Sequence, residues 1–228
     1  MPDPSADAAP SPTRLADYRP PEFLVDTIEL IFDLEPDDTS VAAQLHLRRN
    51  PEARRAGDGP PPLRLDGDEL ELLSIALDGK PLAPGDYRLD PEGALFIDQP
   101  PDQLTLDITT RIHPERNTAL SGLYLSGGNF CTQCEPEGFR RITYFPDRPD
   151  VMARYSVTIR ADKARFPVLL SNGNPAGEGD LLDGAPAGRH WARWVDPHPK
   201  PSYLFALVAG DLVAVRDRFT TRSGREVA

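Results

Sequence analysis

Apolar residues recur at every second position in one short segment after another, with Gly, Pro, Asn and Asp gathered between the segments. In the first segment Val25, Thr27, Glu29, Ile31 and Asp33 alternate with Asp26, Ile28, Leu30, Phe32 and Leu34. A period of two sends successive side chains to opposite faces, which is the pattern of a strand with one face buried. Val41, Ala43, Leu45 and Leu47 repeat it after Asp37-Asp38-Thr39, predicting a hairpin. Leu63–Leu65, Glu69–Leu77, Tyr87–Leu89 and Ala94–Ile97 are further predicted strands, separated by Asp66-Gly67, Asp78-Gly79, Pro84-Gly85 and Pro91-Glu92-Gly93. Leu104, Leu106, Ile108, Thr110 and Ile112 continue the alternation, as do Tyr155, Val157, Ile159 and Ala161.

Phe139–Tyr144, Val168–Leu170, His190–Val195 and Tyr203–Val208 complete the strand set, the last apolar enough to be expected buried on both faces. Leu212, Ala214 and Arg216 are expected to continue outward to Phe219. Asp147–Met152 reads as one helical turn, with Asp147 near the cap position. Many short strands with Gly/Pro turns define an all-β chain: a large antiparallel β-sandwich or saddle-like open barrel, with at most one short helical turn. The 26 prolines sit between apolar runs, as loop-rich β structure requires. Trp191 and Trp194 are expected in or beside the core. Residues 1–17 have almost nothing to bury and read as a disordered tail, while 50–62 and 180–188 read as surface loops.

The net charge of -11 argues against nucleic acid or an anionic membrane surface as partner, because both are bound through clustered Lys and Arg. No apolar run approaches the roughly 20 residues of a membrane helix, and the first residues lack the basic and apolar regions of a secretory signal. The sequence-based expectation is therefore a cytoplasmic protein without membrane contact.

Chemistry-bearing side chains crowd into one stretch, Asn129 to Pro149, which holds both cysteines, Gln133, Glu135, Glu137, Arg140 and Arg141. Pro136 lacks an N–H and Gly138 favours turns, so residues 132–138 are expected to form a loop, where binding residues tend to sit. Cys131 and Cys134 form one C-x-x-C, open to three readings: a redox pair, half of a zinc site, or thiols lining the loop. Read from the residues alone, Gln133 is a turn residue bonding nearby backbone and Glu135 a surface acid beside Arg140 or Arg141. Glu137 reads as a solvated or salt-bridged acid, and Arg140 and Arg141 as structural, one on each side of a strand. No His-Glu-x-x-His occurs among His46, His113, His190 and His198, and no Gly-x-Ser-x-Gly elbow or phosphate loop is present.

Cys-Thr-Gln-Cys-Glu-x-Glu-Gly-Phe-Arg-Arg-Ile-Thr-Tyr at 131–144 is followed by Asp147-Arg148-Pro149-Asp150-Val151, Leu170-Ser171-Asn172-Gly173-Asn174 and Lys200-Pro201-x-Tyr203 through Asp211. In order and spacing these blocks resemble the amino-terminal domain of bacterial aminopeptidase N, the alanyl aminopeptidase branch of the zinc-dependent gluzincin aminopeptidases. The likeness runs from about Tyr18 to the last residue, mainly by strand pattern in the first half. It implies a β domain over 18–220 and, over 221–228, the start of a link into a catalytic domain that this chain lacks. Residues 220–228 themselves read as a turn and the first residues of an unpaired strand, the expected end of a fragment.

The resemblance further implies that Gln133 and Glu135 contact the first residue of a peptide substrate at its free α-amine. A second Glu, from a Gly-Ala-Met-Glu-Asn motif, and a zinc held by His-Glu-x-x-His would come from the catalytic domain. The implied partners are that domain and the peptide N-terminus, and no cofactor is implied for this chain itself, which should be inactive alone. By the same likeness the Glu135–Pro136 bond is expected to be cis. Tyr144-Phe145-Pro146-Asp147-Arg148-Pro149 departs from the Phe-Pro-Cys-Phe-Asp-Glu-Pro of relatives outside the branch. The other reading is a non-catalytic β-sandwich binding or interaction module on the same scaffold.

Overall fold

The computed structural model describes residues 14–53, 61–181 and 186–227. The expected tail through residue 13, and parts of both expected loops (54–60 and 182–185), lie outside the described residues. In chain order the strands are β1 (Phe23–Asp33), β2 (Thr39–Arg49), β3 (Leu63–Leu65), β4 (Glu71–Leu77), β5 (Lys80–Pro81), β6 (Arg88–Leu89), β7 (Leu95–Ile97) and β8 (Gln103–Ile112). They continue as β9 (Gly122–Ser126), β10 (Asn129–Gln133), β11 (Met152–Asp162), β12 (Val168–Ser171), β13 (Asn174–Asp180), β14 (Arg189–Pro201), β15 (Leu207–Gly210), β16 (Phe219–Thr220) and β17 (Glu226–Val227). Three one-turn 3-10 segments, Leu15–Asp17, Phe139–Arg141 and Ser202–Leu204, replace the single helical turn that the sequence predicts.

The large sheet has eight strands in the order β13, β14, β11, β1, β2, β8, β4, β5, beside a four-stranded sheet β12, β15, β10, β9 and a three-stranded sheet β3, β7, β6. The fold is all-β, as the alternation requires. One pair departs from the antiparallel expectation: β1 and β11 run parallel, with Ile28 opposite Tyr155, Leu30 opposite Val157 and Phe32 opposite Ile159. In β1 a register shift lies between Val25 and Thr27, so Val25 shares the buried face with Ile28, Leu30, Phe32 and Leu34. A bulge of this kind is how a strand changes which alternate residues face inward. The inward residues of β1, β2, β8 and β11 join Phe130, Leu169, Leu207 and Ala209 of the four-stranded sheet and Leu63, Leu65, Leu95 and Ile97 of the three-stranded sheet in one buried cluster.

Several local expectations are corrected. Phe139–Tyr144 is not a strand: Phe139 and Ile142 are both buried, with Arg140 and Arg141 between them half-buried and engaged with acids. That spacing of three is satisfied by a 3-10 turn and not by a period of two. Asp147 caps no helical turn, because its carboxylate is buried and engaged elsewhere; residues 146–148 are irregular. Tyr203–Val208 begins as a 3-10 turn, with Leu204 50% exposed, and only Leu207–Gly210 pairs as a strand. Residues 212–218 form no strand, while Glu226–Val227 does find a partner, Phe219–Thr220. The β9–β10 hairpin and β13 are strands that the sequence analysis did not identify.

Phe32 is fully buried and its ring stacks on Phe205 with centroids 5.9 Å apart, whereas Ile31 beside it is 37% exposed. Phe32→Ala should cost about 3–5 kcal/mol of unfolding free energy. Ile31→Ala should stay within about 0.5 kcal/mol. Urea melts of the two variants check the assignment of faces.

Candidate functional site

The stretch that the sequence singles out leaves the sheet at the end of β10. This strand pairs with β9 from Asn129 opposite Ser126 to Gln133 opposite Gly122, and with β15 only at Phe130 and Cys131. Beyond Cys131 a side chain takes over the ladder: Thr132 Oγ1 accepts from Leu207 N–H at 2.8 Å and donates to its carbonyl at 3.1 Å. Thr132 and Gln133 therefore belong to the strand, and the loop proper begins at Cys134, two residues later than the composition suggests.

From there the backbone doubles back. Gly138 N–H donates to Cys134 O at 2.8 Å, and Arg141 N–H to Gly138 O at 3.1 Å. A Cβ on Gly138 would lie 2.9 Å from both Cys134 Cα and Gly122 N, contacts that real Cβ atoms do not make. Only glycine lets the two arms approach this closely. The Glu135–Pro136 peptide bond within this turn is cis, the isomer that the resemblance implies.

Underneath the loop lies an aromatic cluster. Phe139 meets Phe145 at 5.1 Å, Phe205 at 5.2 Å and Tyr155 at 6.0 Å, each in an edge-to-face arrangement. Such pairs add about 0.5–1.5 kcal/mol each to the burial of their area. Lys200 places its Nζ 3.7 Å from the centroid of the Tyr155 ring and 3.1 Å from Asp196 Oδ2. Burial pushes the Tyr155 hydroxyl well above its ordinary pKa, helped by the charge on Asp147 and by Cys134. Burial also raises the Asp66 carboxyl, against the opposing pull of Arg140 and Arg64.

The arginines are spoken for. Arg140 Nε donates to Asp147 Oδ2 at 3.0 Å and Nη1 lies 3.4 Å from Glu137. Arg141 pairs with Asp68 and Glu69. Both are structural, as expected, though they flank a 3-10 turn and not a strand. Glu137 is salt-bridged. Glu135 is exposed and, among the described residues, its carboxylate has no ionic or hydrogen-bonding partner, so the reading of an acid beside Arg140 or Arg141 does not describe it. Gln133 is exposed and donates Nε2–H to the carbonyl of Glu135 at 3.0 Å, a bond that does not use its amide oxygen. Gln133 and Glu135, two residues apart and both exposed, thus offer an amide oxygen and an anionic carboxylate, acceptors suited to a cationic donor.

Cys134 is buried and Cys131 half-buried, and both are free thiols. Burial, with the nearby charge of Asp147, holds the Cys134 thiol far above its ordinary pKa, which does not suit a redox or metal-ligating thiolate. Among the described residues no group of three His, Cys, Asp or Glu side chains is arranged to hold a metal ion. His46, His113 and His190 each face a single protein partner, Thr105 Oγ1, Asp37 O and Phe166 O. No helix among them is long and apolar enough to cross a membrane. Asp66 and Asp147, which brace the loop, were not singled out as a pair by the sequence, since the contact joins residues far apart in the chain.

Comparison with known proteins places these features in context. The family described as the Peptidase M1 N-terminal domain matches residues 87–204. Aminopeptidase N of Caulobacter vibrioides is 57% identical over 219 residues, covering 96% of this chain and 24% of its own length. Aminopeptidase N of Escherichia coli is 50% identical over 212 residues, covering 93% of this chain and 23% of its own length. The crystal structure of Legionella pneumophila aminopeptidase A in complex with aspartic acid superposes with a TM-score of 0.85 at 36% identity, over 94% of this chain and 24% of that one. The chain thus spans about a quarter of the length of the relatives it matches (24% and 23% of the first two).

The two thiols should separate cleanly in a titration with a disulfide reagent at mild alkaline pH. Cys131 is expected to react in the native protein and Cys134 only after denaturant is added. Two thiols reacting at equal rates in the native protein would contradict the burial of Cys134.

Proposed function

The chain belongs to the Peptidase M1 N-terminal domain family, and from that membership we propose that it is the amino-terminal β domain of a zinc-dependent aminopeptidase that removes N-terminal residues from peptides. Its own contribution is recognition of the substrate's free α-amine by Glu135 and Gln133. The observation that carries this reading is the exposed Glu135 carboxylate, unpaired among the described residues although two arginines lie within the same stretch. A fixed carboxylate forms a charge-assisted hydrogen bond with an α-ammonium. The amide oxygen of Gln133 accepts a second N–H. An acylated or internal nitrogen has lost both the charge and a donor, so the same groups discriminate against it. The free amino acid bound to the Legionella relative is the kind of ligand such a clamp takes.

In this reading the zinc ligands come from polypeptide outside this chain, and the chain alone is inactive toward peptides. When bound, zinc supplies the activated water. The remaining partner is the catalytic domain itself. Val213 and Val215, 94% and 97% exposed, and Phe219, 69% exposed, form an apolar segment beyond β15 that such a partner would cover. The reading is of a cytoplasmic enzyme whose β domain meets neither nucleic acid nor membrane.

In the intact protein, Glu135→Gln should lower kcat/KM for free-amine substrates by the equivalent of about 1.5–3 kcal/mol, roughly ten- to a hundredfold. Steady-state kinetics on an aminoacyl anilide check this. Unchanged cleavage would overturn the amine clamp and favour a β domain that acts only as an interaction module.

A further inference from the structure

The loop that carries Glu135 is locked at its far end by a second carboxylate, one that no substrate can reach. The Asp147 side chain is 1% exposed. Its Oδ2 accepts the backbone N–H of Arg140 at 3.2 Å and the Nε–H of the same residue at 3.0 Å, and its Oδ1 accepts the Ser202 hydroxyl. The main chain adds to the knot: Asp147 O accepts from Arg140 Nη2 at 3.1 Å, Asp147 N–H donates to Asp66 Oδ2 at 3.1 Å, and Asp68 N–H donates to Arg140 O at 3.0 Å. Arg140 is therefore held through backbone and side chain at once, immediately after the Cys134–Gly138 turn that displays Glu135. It also reaches back to Glu137 within that turn.

We propose that Asp147 is the positioning residue for Glu135: by fixing Arg140 and the 3-10 turn it sits in, the buried carboxylate sets the direction in which Glu135 leaves the domain. This rests on the reading of Glu135 as the amine ligand. A carboxylate on an untethered loop populates its binding-competent orientation only part of the time, and apparent affinity falls by that fraction. Asp147 removes that loss before the substrate arrives. Because the contact with the ammonium exists before and during reaction, weakening it should raise KM and leave kcat nearly alone.

The test uses Asp147→Asn, which retains an acceptor but removes the charge that Arg140 pairs with, in the intact protein. KM for a free-amine aminoacyl anilide should rise about tenfold with kcat held within about twofold, the scale of one weakened charge-assisted hydrogen bond. Hydrogen exchange should quicken at the amides of 134–141 while β1 and β11 keep their protection. In a Glu135→Gln background Asp147→Asn should raise KM no further. An unchanged KM, or exchange that quickens throughout the domain, would overturn the proposal, and so would an undiminished KM rise in the Glu135→Gln background. If Asp147→Asn does not fold, Arg140→Lys, which keeps the charge but loses the fork, is read by the same KM and exchange measurements, and a native result there overturns the proposal equally. Full activity in Glu135→Gln itself would refute the amine reading, whereas an impaired Glu135→Gln beside an unimpaired Asp147→Asn would refute only the positioning.

Discussion

Two strands from distant parts of the chain, 23–33 and 152–162, run parallel as neighbours within the eight-stranded sheet. Parallel neighbours cannot be joined by a tight turn, so the chain between them must make a long excursion before it returns in the same direction. That excursion runs from β2 to β10. It lays down β2, β8, β4 and β5 on one side of β1, forms the three-stranded sheet and the β9–β10 hairpin along the way, and delivers the chain to β11 through the Cys134–Asp147 loop. Because β11 starts only a few residues beyond Asp147, Tyr155 on its buried face becomes the floor on which Phe139 stands. The packing of Phe139 on Tyr155 ties the loop's exit to that strand.

Rigidity at this place is built from buried polar groups as much as from apolar area. Thr132 substitutes for a strand pair, Thr110 donates to Ile142 O at 2.9 Å, and Asp147 collects donors from three directions. A buried carboxylate is tolerable only when hydrogen-bonded and charge-compensated, and Arg140 supplies both conditions. The contrast between two acids in one stretch is then physical. Asp147 is inside, its carboxylate bonded by Arg140 and Ser202, and Glu135 is outside with no partner for its carboxylate among the described residues.

Much of this was legible in the sequence. The alternating faces of β2, β8 and β11 follow directly from periodicity, and Val41, Leu45, Leu106, Val157 and Ile159 are all buried where it puts them. What periodicity missed has identifiable causes. A bulge after Val25 swaps faces midway along β1, which no alternation count reveals. Gly-rich β13 carries almost no apolar residues, because it is an edge strand exposed over most of its length. The Gly127-Gly128 turn between Gly122–Ser126 and Asn129–Gln133 is a hairpin signal, but the flanking strands are short and alternate only weakly. The Phe139/Ile142 spacing of three was also present, masked by the surrounding twos. Glu135 and Gln133 were reached by resemblance, since nothing in their local sequence separates them from ordinary surface residues, whereas the partnership of Asp147 with Arg140, Ser202 and Asp66 needed the folded chain.

Under the proposed function, a carboxylate held outward by this scaffold meets the substrate's ammonium. The most direct measurement is a crystal structure of the intact protein with a bound free amino acid. Glu135 should lie within about 3 Å of the ligand nitrogen, the distance of a charge-assisted hydrogen bond. A ligand seated with its amine against other groups, and Glu135 turned to solvent, would contradict it.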